Sequence, residues 1–296
     1  MGYIYLLCIA IMFSFGGTCV RLISPYFSAE YITFTRFAVG VCFLLLLKLL
    51  KRQHFPKDFQ CMLKSVWIWI LVGAVAKWMA YLSENFALSH GPSYGNIVTM
   101  PVQTIFAALS SVFLFKEKLS LRQVICILMC MCGVLCISWN GRPLVVFFHE
   151  NILLTGLFVF SGICAGIHVL AQKMIADRLD SIDSNLAIFT LSAVLSFLPL
   201  IPGISRGELV GIRPDLACIS GILLFGFITG FGFYLNAKAI PLVPFYMVPI
   251  IQSMMAIFAI LWSVLFFHES ISGYIIGGTA LFMVGLSGIQ VRGKKV

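Results

Sequence analysis

The chain repeats itself at about half its length. Ile105–Ser120 (IFAALSSVFLFKEKLS) returns 152 positions later as Ile257–Ser272 (IFAILWSVLFFHESIS), with nine of sixteen positions identical. The same offset pairs Ala87 with Ala239, Pro92 with Pro244, Tyr94 with Tyr246, Met131 with Met283 and Gly133 with Gly285. In a chain of 296 residues this marks a duplicated unit, and every further reading has to respect two related halves.

Each half is built of apolar runs long enough to cross a bilayer as helices, for which about 20 residues suffice. Ten such runs are legible, near 3–22, 30–50, 65–89, 94–115, 122–139, 152–172, 184–202, 216–240, 245–267 and 273–291. Apolar residues make up 60% of the chain and charged ones 10%, with a mean hydropathy of +1.03. Closed barrels are the other spanning option, but a run such as Val41–Leu47 (VCFLLLL) does not alternate as barrel strands must. The expected fold is therefore an all-α integral membrane protein of ten transmembrane helices. Residues 1–140 form the first five-helix repeat and 151–292 the second. Five spans is an odd number, so homologous halves must sit upside down relative to each other. Inverted-topology repeats are an architecture of secondary transporters.

The net charge of +9 is distributed as a topology signal. With both termini inside, fourteen of the 20 Lys and Arg fall in inner segments and four (Arg21, Arg142, Arg206, Arg213) in outer ones, with Arg36 and Lys77 within spans. This reads as a multi-pass cell membrane protein, bacterial inner or plasma membrane, with cytoplasmic termini and a bilayer for partner; it offers no nucleic-acid surface. The inner corner Lys116-Glu117-Lys118 has lost both lysines in its outer copy, His268-Glu269-Ser270, as inversion would select. Residues 1–19 lack a positive n-region and a small-residue cleavage site, so they read as the first span rather than a signal peptide.

Other strings are weaker. Cys126, Cys130, Cys132 and Cys136 crowd the fifth span, but their spacing splits them between two helix faces, so no metal site is expected. Gly203-Ile-Ser-Arg-Gly207 matches G-x-S-x-G literally, yet lies in an outer loop of an all-helical chain, far from the elbow that gives that string meaning. No P-loop or H-E-x-x-H occurs, so neither an ATP-driven pump nor a metalloprotease is supported, and no cofactor and no enzymatic activity are expected. G-x-x-x-G steps at Gly162/Gly166, Gly226/Gly230 and Gly273/Gly277 suit close packing inside the second half, or a homodimer face.

Two stretches carry a family resemblance: Ala87-Leu-Ser-His-Gly-Pro-Ser-Tyr94 through Gly133, and Ala239-Ile-Pro-Leu-Val-Pro-Phe-Tyr246 through Gly285. In these, and in the ten spans, the chain resembles the EamA-type permeases of the drug/metabolite transporter superfamily, which have two tandem EamA domains. The resemblance implies export of amino acids, other metabolites or drugs through a central cavity between the halves. In one respect the chain departs from the family: the helix-breaking prolines after the Tyr are not equivalent, since Pro101 aligns with Ser253 while Pro249 stands alone.

Polar residues inside spans carry the candidate site. Lys77 lies twelve positions from either end of the third span, where a lysine costs about 2.5–3.5 kcal/mol to insert, and such residues mark pathways or buried pairs. Arg36 and Glu84 lie at nearly equal depth and are expected to pair. Glu84 stands two turns, about 10 Å, from Lys77 on the same face, leaving the lysine for a substrate anion. Tyr81 lies between them. Tyr94, Tyr234 and Tyr246 near span ends are cavity gates or interfacial belt residues. Gln103 and Gln252 are substrate ligands or interhelical glue. His168 reads as a hydrated packing residue. The substrate-binding candidates are thus Arg36, Lys77, Tyr81, Glu84, Tyr94, Gln103, Tyr234, Tyr246 and Gln252. They suit a transporter of amino acids or other carboxylate-bearing solutes by alternating access, and the resemblance implies that it exports these small molecules. The alternative is an exporter of lipophilic cationic drugs, in which Glu84, Trp78 and Tyr81 would face the cation.

Overall fold

A computed structural model describes residues 1–53, 59–90, 99–117, 119–139, 141, 143, 152–206, 213–258, 261 and 272–290. Tyr94, Lys118 and the corner His268–Ser270 lie outside the described residues. All regular structure among the described residues is helical: α1 (Gly2–Phe13), α2 (Gly16–Ile23), α3 (Ala29–Leu50), α4 (Phe59–His90), α5 (Thr99–Phe113), α6 (Leu121–Trp139), α7 (Ile152–Ile175), α8 (Ser181–Phe197), α9 (Ile201–Ser205), α10 (Leu216–Ala239), α11 (Met247–Gln252) and α12 (Gly273–Gln290). Six stretches are long and apolar enough to cross a membrane, and four shorter apolar helices accompany them: Thr99–Phe113, Leu121–Ile137, Met247–Phe258 and Gly273–Gly288.

Helix starts follow from local chemistry. Asp180 and Asp215 cap α8 and α10, their carboxylates accepting from Ile182 N at 3.2 Å and Cys218 N at 2.7 Å. Ser120 and Gln123 form a reciprocal capping box at α6: Gln123 N donates to Ser120 Oγ (3.3 Å) and Ser120 N to Gln123 Oε1 (2.9 Å). Ser272, the repeat counterpart of Ser120, caps α12 through Ile275 N at 3.4 Å.

Three expected spans are not continuous α-helices among the described residues; the seventh turns 3₁₀ at Leu198–Leu200. The first breaks at Ser14-Phe15, where the Ser14 hydroxyl donates to Ile11 O at 2.5 Å and glycines follow at 16 and 17. The ninth leaves α geometry at Ser253-Met254. Met254 N donates to Ile251 O (3.0 Å) and Ala256 N to Ser253 O (3.1 Å), the tighter pattern of a 3₁₀ turn inside a helix. Pro101, by contrast, sits in the first turn of an unbroken α5, where a missing N–H costs nothing. Of the two proline-bearing spans, the fourth and the ninth, the irregular turn among the described residues is therefore in the ninth.

The helices pair across the halves. α4 packs on α7 and α8, α3 on α8 and α10, α5 on α7, α1 on α10 and α11, and α6 on α12. Exchanging each helix for its counterpart in the other half returns the same set of pairs. Small residues set the closest approaches. A Cβ at Gly133 would lie 2.6 Å from Phe282 N, and one at its counterpart Gly285 would lie 2.8 Å from Cys126 O, so α6 and α12 approach backbone to backbone at both glycines.

The G-x-x-x-G expectation needs correction on this ground. Gly162 and Gly166 abut Thr99 and Phe106 of α5, and Gly226 and Gly230 abut Val39 and Gly40 of α3, so both steps join the two halves rather than packing within one. Gly273 and Gly277 meet nothing within 4 Å. Cys126 and Cys130 are buried against α12 while Cys132 is exposed, the two-faced split read from their spacing. Ser205 ends the short α9, exposed, its hydroxyl bonded to Pro202 O at 2.9 Å.

Candidate substrate cavity

Between the halves lies a cavity of about 100 Å³, lined by residues from α1, α2, α3, α4, α5, α7, α10 and α11. A single water needs some 10–15 Å³ of such space, so several waters or one small solute fit. One wall is the face of α4 that presents Lys77, Tyr81 and Glu84, each about one turn from the next.

Arg36 enters from α3. Its Nε donates to Thr229 Oγ1 at 2.8 Å, and Thr229 in turn donates to Phe225 O at 2.8 Å on α10. The guanidinium lies 3.4 Å from the Tyr81 ring centroid and 4.0 Å from that of Phe225. The expected Arg36–Glu84 ion pair is absent among the described residues, where the one ion pair is Lys48–Asp183. A planar cation can be sandwiched by aromatic faces and anchored by a hydroxyl, which removes the need for a carboxylate. Glu84, half-buried, is left with no hydrogen bond or ion pair among the described residues.

Lys77 is 5% exposed, and its Nζ lies 4.0 Å from the Tyr81 ring centroid and 4.3 Å from that of Phe233. No protein anion contacts it among the described residues. Behind it, His168 is fully buried; its Nδ1–H donates to Gly73 O at 3.1 Å, and Nε2 has no partner among the described residues. His168 also packs edge-on against Phe233, with centroids 5.4 Å apart, in keeping with a packing role. Ser161, fully buried and with its hydroxyl unpartnered among the described residues, lines the same cavity.

Of the residues picked from sequence, Arg36, Lys77, Tyr81, Glu84, Gln103 and Gln252 converge on the cavity. Two do not. The Tyr234 hydroxyl accepts from Lys51 Nζ at the far end of α3, with that ammonium 4.2 Å above the ring. Tyr246 accepts from Gln123 Nε2 at 3.0 Å, tied to the capping box of α6. Both lie near span ends, as tyrosines with one polar tip do.

Sequence reading missed a chain of buried amides. Gln252 Nε2 donates to Asn236 Oδ1 (2.8 Å), Asn236 Nδ2 to Gln172 Oε1 (2.9 Å), and Gln172 Nε2 to Asn185 Oδ1 (2.8 Å). Asn185 Nδ2 finishes the chain on two backbone carbonyls, Ser181 O (2.8 Å) and Phe233 O (3.0 Å). The repeat offset held the signal for part of it. Adding 152 to Lys77, Tyr81 and Glu84 gives Thr229, Phe233 and Asn236, which contact Arg36, contact Lys77 and line the cavity. The same step relates Met100 to Gln252 and Gln103 to Met255, all four lining it.

Comparison with known proteins agrees with this picture. One solved crystal structure, described only as that of a protein, matches with a TM-score of 0.79 at 14% identity, over 98% of this chain and 97% of that one. At that identity the likeness speaks for the fold alone. No curated protein matches the sequence. The family model of the EamA-like transporters matches residues 1–139 and again 153–290, the two halves that the internal repeat delimits. Matched over nearly its whole length, the chain belongs to the EamA-like transporter family and is a membrane transporter with two tandem repeats.

Proposed function

We propose that the chain is a secondary transporter that exports small carboxylate-bearing metabolites, amino acids among them, by alternating access around the central cavity. The observation that carries this reading is the imbalance of charge there. Two buried cations, Arg36 and Lys77, share the Tyr81 ring, against one acid, Glu84, and among the described residues Lys77 meets aromatic faces and no anion. A solute anion at Lys77 would supply the missing counter-charge in surroundings where it is worth most. The proposed frame is ten transmembrane helices as two inverted five-helix repeats, termini cytoplasmic, in a cell membrane. The helix pairs that survive exchange of the halves support it, as does cavity lining by residues 152 positions apart.

A second reading keeps its standing for one reason: Glu84 is unpaired among the described residues, so an acid with Tyr81 nearby is open to a lipophilic cation. Reconstitution into liposomes separates the two. Counterflow of labelled amino and organic acids is expected, with cationic dyes inert. Flux of the dyes with no flux of any carboxylate would reverse the order of the readings.

A further inference from the structure

The amide chain has a direction, and the direction is fixed at its buried end. Ser181 O and Phe233 O can only accept, so the Asn185 side chain must turn its NH2 toward them and its Oδ1 toward Gln172. Gln172 must then donate to Asn185, Asn236 to Gln172, and Gln252 to Asn236. Turning any one amide over would set N–H against N–H or carbonyl against carbonyl, stranding buried groups whose exposure in these four residues is 3% or less. The polarity of two carbonyls on α8 and α10 is thereby carried through three more side chains to the cavity wall. There Gln252 has committed one of its two N–H donors to Asn236, which fixes which end of the amide carries the oxygen. Its Oε1 accepts nothing from the described residues, and Gln252 lines the cavity.

The geometry points to Gln252 as a specificity-determining acceptor, held in one orientation by the positioning residues Asn236, Gln172 and Asn185. It selects solutes that carry an N–H or O–H donor beside their carboxylate. This rests on the carboxylate reading of the cavity and narrows it. Lys77 attracts the anion, while Gln252 discriminates amino and hydroxy acids from the plain acids of the same size. A site built to hydrogen-bond a solute's N–H or O–H rejects the analogue that lacks it, because the buried partner is left unpaired. Water in the cavity can rescue part of that loss, so a discrimination of about tenfold to a hundredfold is expected rather than the several decades of a dry site.

The test is direct binding to the purified full-length protein by titration calorimetry, with two series: phenylalanine, 3-phenyllactate and 3-phenylpropionate, and alanine, lactate and propionate. In the wild type the amino and hydroxy acids of at least one series should bind at least tenfold more tightly than the plain acid. Gln252→Leu should bring the ratio of donor-bearing to plain acid affinity close to one; Gln252→Met serves if the leucine variant does not fold. Asn185→Leu, remote from the cavity, should also shrink the gap, because the freed amides can then turn over. A merely structural role for Asn185 would instead weaken all three ligands of a series alike. Equal binding across both series in the wild type, or a gap intact without Gln252, overturns the inference and leaves the carboxylate reading standing. Failure of all six to bind removes both.

Discussion

Lys77 is expensive where it stands, at about 2.5–3.5 kcal/mol on insertion scales for the middle of a span. Its two ring contacts, to Tyr81 and Phe233, return on the order of 0.5–2 kcal/mol each and leave it without a hydrogen-bonded anion among the described residues. Lys77→Met keeps the length of the stem and removes only the charge, so the variant should insert and fold as well as the wild type. Transport of a carboxylate should fall by one to three decades, at about 1.4 kcal/mol per decade. A wild-type rate in liposomes would make the lysine structural. That residue was legible because a charge in an apolar run announces itself. Gln172 and Asn185 were not, because a neutral amide costs little in the pattern and its partner arrives from another helix. Asn236 stood between these cases: unremarked as an amide, yet marked by its place 152 residues after Glu84.

At the scale of elements, ends and breaks were harder to read than existence. Hydropathy placed the spans but carried no signal for the break at Ser14-Phe15 or the 3₁₀ turn at Ser253-Met254, both of which interrupt a run that stays apolar throughout. Those irregular segments border the cavity through Gly16, Gly17 and Gln252, where the backbone approaches a solute rather than lipid. The far end of α3 is held differently. Lys48 in its last turn bonds Asp183 in the first turn of α8, a pair with each side chain about 6% exposed. It joins one half to the other roughly 18 Å along the helix from Arg36. Removing one member of a buried pair strands the other and typically costs about 3–5 kcal/mol, whereas replacing both by apolar groups costs far less. Lys48→Met should therefore lower the thermal midpoint markedly, and Lys48→Met with Asp183→Leu should recover most of it. Additive losses in the double variant would mean that the contact contributes nothing as a pair.

At the scale of the whole molecule, the duplication organises everything else. Glycines 152 positions apart, Gly133 and Gly285, both serve one helix crossing, each allowing the other helix's backbone close. Positions related by the same offset line one cavity, and the halves have divided its chemistry: the charges Arg36, Lys77 and Glu84 lie in the first, the amide chain in the second. If the halves are inverted, a residue and its counterpart 152 positions on must face opposite sides of the membrane, whatever the substrate. Lys118 and Ser270 are such a pair. In a background with all ten native cysteines replaced, Lys118→Cys should react with membrane-impermeant thiol reagents only after the cell is opened, and Ser270→Cys from outside the intact cell. The charge asymmetry sets which is which, since the lysine-rich copy belongs on the cytoplasmic face. Labelling of both from the same side would break the inversion while leaving the family assignment and the cavity untouched. Labelling on opposite sides with the order reversed would keep the inversion and turn the whole protein over.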